Sequence, residues 1–181
     1  LDDDQKISVP LNRLGLPPGT IYHLWEFWEK RYLGRVSSRF QIALKCPSTR
    51  LVAIVPERSH PWVLSTSFHY TQGGVDLQQV QWNAQRKTLS GILMRPAGVS
   101  GFIYLIAPKH KTCSLEQIAP GVYRYPICAT SPRTRWRVKF SEVKNPGASS
   151  EAFGGTPAPA SVRNPGPRGR GPQRISRSKL R

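Results

Sequence analysis

Few of the residue types that carry enzyme chemistry stand at a useful spacing in this chain. Glycoside hydrolysis needs two carboxyl groups that face each other across the scissile bond at roughly 5–10 Å. The predicted strands contain two acids, Glu26 and Asp76, and nothing in their spacing brings them together. Glu29 follows a predicted strand, while Glu57 and Glu116 fall in predicted loops. The sequence therefore assigns no catalytic residue.

The histidines show no regular spacing of metal ligands. There are four of them: His23, His60, His69 and His110. His69 lies between Phe68 and Tyr70 and is a candidate site residue, although a hydrogen-bonded structural histidine at a strand end is the preferred interpretation. The sequence contains no HExxH, GxSxG, P-loop or GxGxxG motif. These patterns predict neither a metal nor another cofactor.

The three cysteines, Cys46, Cys113 and Cys128, are an odd number, and no CxxC motif accompanies them. Their spacing does not match that of a zinc site. We predict buried free thiols, with a single Cys113–Cys128 bridge as the alternative. The redox state of the three thiols stays open.

The chain is organised around the segment His60–Trp82. Its two halves each alternate apolar and polar residues with a period of two, which is typical of half-buried strands. Gly73 and Gly74 lie between them and supply a permissive backbone for a bend. The pattern predicts that the two halves pair with each other as neighbouring strands.

Short alternating or apolar runs with turn signals between them predict the remaining strands. These runs are Ile7–Leu11, Tyr22–Trp28, Val36–Leu44, Leu51–Val55, Thr88–Met94, Phe102–Ile106, Tyr123–Cys128 and Trp136–Phe140. A helix over Leu24–Tyr32 is the weaker alternative, and His110–Ile118 is predicted as a loop or a short helix. The fold class predicted is all-β, an antiparallel β-sandwich of about nine or ten short strands.

Composition divides the chain into three parts. Residues 1–21 are interpreted as a lead-in with a first strand, which includes the acids Asp2–Asp4 and could link to an upstream domain. Residues 22–141 form the predicted sandwich, and residues 142–181 are rich in Pro, Gly and Arg and are predicted to be disordered. Of the net charge of +17, residues 141–181 carry +6 and the rest is dispersed over the preceding residues. Dispersed charge argues against nucleic acid as the partner.

No segment of the sequence predicts a membrane span or a secretory signal. The longest apolar run, Phe102–Pro108, is far shorter than the roughly 20 residues that a span requires. The chain begins at Leu1 and its one methionine is Met94, so we expect a mature or truncated piece of a longer product. The compartment and the oligomeric state are not predicted.

Three segments of the sequence resemble the C-terminal region of bacterial alpha-galactosidase-like (melibiase-type) glycoside hydrolases. They are LNRLGLPPGTIYHLWEFWEKRYLG, LVAIVPERSHPWVLSTSFHYTQGGVDL and WNAQRKTLSGILMRPAGVSGFIYLIAP. The resemblance rests on the Phe27-Trp28 and Leu33-Gly34 pairs and on the line His60–Leu77, and it covers about Leu11–Phe140. The basic tail departs from the pattern.

In that family an antiparallel β-sandwich follows a catalytic (β/α)-barrel, and the catalytic carboxylates belong to the barrel. The resemblance thus implies a non-catalytic accessory domain whose partner is the barrel of the same enzyme. Buried apolar side chains such as Trp25, Phe27 or Trp62 would fill the interface. The sugar specificity is not implied.

Two other classes of function remain as alternatives. A free-standing carbohydrate-binding module would need two or three exposed, coplanar aromatic rings, for which Trp62 with Trp82, or Tyr104 with Tyr123, are candidates. A basic nucleic-acid-binding protein would act through its surface charge and tail. The candidates for interface contact or sugar stacking are Trp25, Phe27, Trp62, His69 and Trp82.

Overall fold

A computed structural model describes residues 5–45 and 48–143. Cys46, the acids Asp2–Asp4 and the predicted tail beyond Val143 lie outside the described residues. The described part forms fourteen strands and one 3-10 turn, Leu11–Leu14, and every strand pair in it is antiparallel. The predicted all-β class is confirmed. The strands are β1 Gln5–Pro10, β2 Tyr22–Glu26, β3 Arg31–Val36, β4 Arg39–Leu44, β5 Val52–Pro56, β6 Trp62–Thr66, β7 Leu77–Asn83, β8 Thr88–Leu93, β9 Ser100–Ile106, β10 His110–Lys111, β11 Glu116–Ala119, β12 Val122–Cys128, β13 Thr134–Lys139 and β14 Ser141–Glu142.

A central four-stranded sheet, in the order β11-β12-β9-β6, is covered on both faces. In β9, Ile103 and Leu105 point to one core while Tyr104 and Ile106 point to the other. A strand buried on both faces reads as a continuous apolar run rather than an alternation, which is the pattern of this segment. The described part therefore stacks three sheets, one more than the two of a simple β-sandwich.

Two cores separate the three sheets. The large core lies between the central sheet and the sheet β13-β8-β7, and the small core lies between the central sheet and the sheet β3-β2-β5. The large core is built from Leu89, Leu93, Ile103, Leu105, Ala107, Tyr123, Ile127, Ala129, Trp136, Val138 and Phe140. The small core is built from Trp25, Trp62, Leu64, Tyr104, Ile106 and Val122.

Two further strand pairs complete the described part. β1 pairs along its whole length with β4, which places the predicted first strand in a two-stranded ribbon. β10 pairs with β14. The strand interpretation of Tyr22–Trp28 is confirmed over Tyr22–Glu26, and the helical alternative is wrong.

The predicted pairing within His60–Trp82 is wrong. β6 pairs with β9 and β7 pairs with β8, so the two strands belong to different sheets. Trp62 and Leu64 of β6 are buried in the small core, whereas Leu77 of β7 packs on the large core. Alternation shows that a segment has one buried face, but it does not show which sheet covers that face. Asp76 also lies in the connecting loop and not in a strand.

Two other predicted boundaries are wrong. The single strand Val36–Leu44 is broken at Ser37 and Ser38, where the chain leaves β3 and enters β4 in another sheet. The apolar alternation continues through this bend, so the sequence pattern does not reveal it. His110–Ile118 contains the short strand β10 and most of β11 rather than a helix.

The cysteine prediction is correct in one respect and wrong in another for the two described residues. Cys113 and Cys128 are free thiols, as predicted, but both are exposed and not buried. Cys128 is on the central sheet, at the end of β12 that the small core does not cover. The missing cover leaves its thiol in solvent.

Candidate functional site

The connection between β2 and β3 presents an exposed tryptophan. Residues 27–30 form the turn, and Lys30 adopts a left-handed backbone with φ of 51°. Trp28 is 58% exposed, while Phe27 beside it is half-buried. The two rings meet edge to face at a centroid distance of 4.9 Å. We call residues Glu26–Arg31 the hairpin end.

Buried and charged groups hold the hairpin end in place. The backbone N–H of Phe27 donates to the Leu51 carbonyl at 2.9 Å. The Glu26 carboxylate, only 1% exposed, accepts a hydrogen bond from the Glu29 backbone N–H. Glu29 in turn pairs with Arg50 and with Arg31. The hydrogen bond from Arg50 and the positive charges of Arg50 and Arg31 lower the pKa of Glu29, so its carboxylate stays ionised at neutral pH.

A polar cavity of about 280 Å³ adjoins the hairpin end. Glu26, Arg31, Tyr32 and Arg50 line it on one side, and β4 lines it on the other. The Oε1 atom of Glu26 is buried and has no hydrogen-bond partner among the described residues. Such an atom can accept a hydrogen bond from a hydroxyl or from water. The cavity lining thus contains the carboxylate of Glu26 and the guanidinium groups of Arg31 and Arg50, both of which pair with Glu29.

A chain of hydrogen bonds lies on the same sheet, where β2, β3 and β5 meet. The carboxylate of Glu57 accepts from His23 Nε2 at 3.2 Å and from Arg35 Nη2 at 2.6 Å. A carboxylate only accepts, so Nε2 carries the ring hydrogen and Nδ1 accepts the Tyr32 hydroxyl at 2.7 Å. His23 also meets Trp62 edge to face at 5.4 Å. Both ring nitrogens are occupied, so the imidazole orients its neighbours and has no free nitrogen for a substrate.

We expect this chain of hydrogen bonds to make stability depend on pH. Burial lowers the pKa of His23 below its ordinary value of 6.5, against the opposing influence of Glu57. Below pH 6.5 the unfolded chain binds a proton at this residue more readily than the folded chain does, so the free energy of unfolding falls as the pH drops. Above pH 6.5 His23 no longer makes the free energy of unfolding depend on pH. Urea denaturation from pH 7.5 to pH 5 should show a smaller decline for His23→Gln than for the native chain.

A matched control is His69→Gln, because His69 is half-buried and contacts the Thr71 hydroxyl at 3.0 Å outside this chain. Burial lowers the pKa of His110 as well, so His110→Gln should remove a second part of the same decline. A native slope that survives in His23→Gln would contradict the assignment.

The five residues predicted as interface or stacking contacts do not form one surface. Trp25 and Trp62 are 0% and 3% exposed in the small core, so neither offers a ring face to a sugar or to another domain. The sequence segments that contain these two tryptophans alternate in polarity, but in the structure both rings are covered by neighbouring sheets. His69 is half-buried and bonded to Thr71 in the loop after β6, far along the chain from Phe27 at the hairpin end.

The paired platforms suggested by the sequence are also absent among the described residues. Tyr104 and Tyr123 are 2% and 3% exposed and belong to different cores. Trp82 is half-buried between His60, with which it stacks at 6.1 Å, and His110, which meets it edge to face at 5.4 Å. These contacts cover Trp82 on two sides.

The sequence reasoning missed Trp28 and Arg50 as members of a site. Trp28 was included in a predicted strand, where a core position is the default for tryptophan. Its place directly before the charged run Glu29-Lys30-Arg31 was the available signal for a turn. No local pattern connects Arg50 with Glu29, because their pairing depends on how β5 returns beside β2.

Within residues 5–45 and 48–143, no group of three or more His, Cys, Asp or Glu is arranged to hold a metal ion. No helix in that part of the chain is long and apolar enough to cross a membrane. No family model, curated protein or solved structure matches this chain.

Proposed function

We propose that the chain is a non-catalytic accessory β-sandwich domain of a carbohydrate-active enzyme, of the alpha-galactosidase-like kind. Its role is to pack on the catalytic (β/α)-barrel of the same polypeptide and to stabilise it. The resemblance of three segments motivates the choice of enzyme. The observation that carries the proposal is the exposed Trp28 at an immobilised hairpin end.

An exposed aromatic ring on a rigid support is suited to a domain interface. Tryptophan is enriched among the residues that dominate binding energy, because it removes a large apolar area from water. Glu26, Glu29 and Arg50 already order the turn, so docking would cost little conformational entropy. Trp28 belongs to the Phe27-Trp28 pair on which the resemblance rests. It replaces Trp25 and Trp62, which are buried within the domain, as the proposed contact.

We expect Trp28→Ala to destabilise the full polypeptide that contains this chain. Loss of a buried tryptophan contact should cost about 2–3 kcal/mol at the interface. In the isolated chain the same change should alter the free energy of unfolding by less than about 0.5 kcal/mol, because the ring is exposed there. Differential scanning calorimetry of both forms measures the difference.

Tyr70→Ala is the matched control, since Tyr70 is an aromatic residue 60% exposed in the loop after β6. It should leave both forms unchanged. Equal effects of the two substitutions on the full polypeptide would contradict the proposal. A coding sequence with no catalytic barrel in the same reading frame would also contradict it.

A second candidate function is carbohydrate binding at the hairpin end itself. It is favoured by the position of Trp28 next to a polar cavity in which Glu26 Oε1 has no partner in the part of the chain that the structure describes. Titration with galactosides should then change tryptophan fluorescence in the native chain and not in Trp28→Ala. No change at millimolar sugar would argue against this function and leave the packing proposal intact.

A further inference from the structure

A groove of about 520 Å³ runs over the outer face of the sheet β13-β8-β7, away from the hairpin end. This volume lies within the range of roughly 300–1,000 Å³ that small-molecule sites occupy. The side chains that matter for its chemistry are polar or basic. They are Gln79, Gln81, Ser90, Arg135 and Arg137.

β13 supplies the basic wall of the groove. Its residues alternate between buried and exposed, with Trp136 and Val138 in the large core and Arg135 and Arg137 in solvent. Outward residues two positions apart in a strand are separated by roughly 6.5–7 Å. Arg135 pairs in register with Ile92 of β8, and Arg137 with Ser90. The strand period thus places two guanidinium groups in one row along β13, an edge strand of the sheet.

A β-bulge supplies the opposite wall. Gln78 pairs in register with Ile92 and Gln81 with Ser90, so β7 has one residue more than β8 between these positions. Gln79 lies in the bulge with a φ of 51°, a backbone conformation that non-glycine residues rarely adopt. Bulges of this kind redirect side chains and are frequent beside binding sites. The extra residue brings Gln81 into register with Ser90, and both Gln79 and Gln81 line the groove.

The groove is electrostatically positive. Of the residues that the structure describes, two arginines and no carboxylate line it. Among the described residues, the acids with ion pairs engage other cations, such as Arg95 for Asp76, Arg124 for Glu116 and Lys87 for Glu142. Neither Arg135 nor Arg137 takes part in a salt bridge of that described part. A ligand with carboxylate or sulfate groups would complement the two guanidinium forks.

The polar residues of the lining other than the arginines indicate which class of anionic ligand the groove fits best. Two amides and one hydroxyl match the hydroxyl groups of a sugar, since they both donate and accept. A single-stranded nucleic acid would require an exposed aromatic platform, and the one aromatic residue of the lining, Trp136, is only 4% exposed. An extended peptide would add to an edge strand of this sheet, β13 or β7, and not to β8, whose residues Ser90 and Ile92 line the groove and which already pairs on both sides.

We propose that this groove binds an acidic oligosaccharide, with Arg135 and Arg137 on its carboxylate or sulfate groups and Gln79, Gln81 and Ser90 on its hydroxyls. This inference goes beyond the packing of the domain on a barrel and does not depend on it. Trp28→Ala should therefore leave binding at the groove unchanged, whatever it does to the full polypeptide.

Isothermal titration calorimetry of the native chain with an oligogalacturonate, a sulfated galacto-oligosaccharide and a neutral galacto-oligosaccharide tests the proposal. At least one of the two acidic ligands should bind with a Kd below about 1 mM, and its affinity should fall as salt is added. Its affinity should also be far higher than that of the neutral oligosaccharide. Arg135→Ala/Arg137→Ala should weaken binding at least tenfold. Arg135→Lys/Arg137→Lys keeps the charge but not the fork, and its affinity should lie between those two forms.

The control Arg39→Ala/Lys45→Ala removes the same amount of positive charge from two exposed residues elsewhere. Arg39 is in β4, and Lys45 directly follows that strand. This control should leave the affinity within twofold of the native chain. Gln81→Ala should reduce affinity for the oligosaccharide several-fold and leave that for free sulfate unchanged. Far-UV circular dichroism confirms that each variant is folded.

Several results would overturn the proposal. Equal affinity for the neutral oligosaccharide would remove the role of the guanidinium groups. Equal or tighter binding of oligo(dT) or oligoglutamate, with no effect of Gln81→Ala, would make the groove a general polyanion surface. An equal loss of affinity in the Arg39 and Lys45 control would reduce the effect to net charge.

Discussion

Trp25→Ala should lower the free energy of unfolding of this chain by about 3–5 kcal/mol, the range found when large aromatic side chains are deleted from well-packed cores. Trp25 is 0% exposed and lies against Tyr104 with the ring centroids 3.9 Å apart. It reaches from β2 to the central sheet and belongs to a core of only six buried residues. Few neighbours can move in to fill the space, so most of the cavity should remain.

Urea denaturation followed by far-UV circular dichroism measures this loss. Trp25→Phe is the matched control and should cost far less, because it keeps an aromatic ring in the core and removes an indole N–H that has no hydrogen-bond partner. Trp28→Ala removes the same side chain from an exposed position and should cost less than about 0.5 kcal/mol in the isolated chain. Similar losses for Trp25→Ala and Trp28→Ala would contradict the assignment of Trp25 to the small core.

Arg95→Met should destabilise the chain by about 3–5 kcal/mol, because it leaves a buried carboxylate without its counterion. Asp76 is 0% exposed and pairs with Arg95, and its other oxygen accepts from the Thr66 hydroxyl at 2.8 Å. The Met94 backbone N–H also donates to the Asp76 carbonyl at 2.7 Å. Asp76 thereby ties the loop after β6 to the loop after β8. Loss of the charge partner should loosen both loops.

A double-mutant cycle separates the ion pair from packing. Arg95→Met and Asp76→Asn should each destabilise, and the double variant should be less destabilised than the sum of the two by more than about 1.5 kcal/mol. The chain offers a surface control in Lys87 and Glu142, which pair at 2.7 Å in exposed positions. Their coupling should stay below about 1 kcal/mol. Additive effects at Asp76 and Arg95 would show that the buried pair does not act as a unit.

The candidate surfaces differ in how far the sequence could have revealed them. The Arg135 and Arg137 row follows directly from the alternation of β13, a strand that the sequence predicted. The opposite wall could not be predicted, because the bulge in β7 shifts the parity of that strand after Gln78. Leu77 and Trp82 consequently pack on the same core although they stand at odd and even positions.

The exposure of Trp28 could not be predicted from the sequence either. A tryptophan at the end of an apolar segment reads as a core residue, and whether the sheet extends far enough to cover it depends on where β2 ends. Here β2 ends at Glu26, and the Glu26 carboxylate accepts a hydrogen bond from the backbone N–H of Glu29 in the turn that follows. Trp28 therefore lies in the turn beyond the end of β2, and its exposure follows from where that strand ends.

The sequence by itself determined that this chain is all-β, antiparallel and rich in short strands, because a period of two and frequent turn residues are local properties. Only the tertiary structure decided which strands are neighbours, that the central sheet is covered on both faces, and which tryptophans are exposed. The physical reason is that alternation reports how many faces of a strand are buried. The identity of the covering sheet depends on contacts between residues far apart in the chain, and no local pattern encodes them.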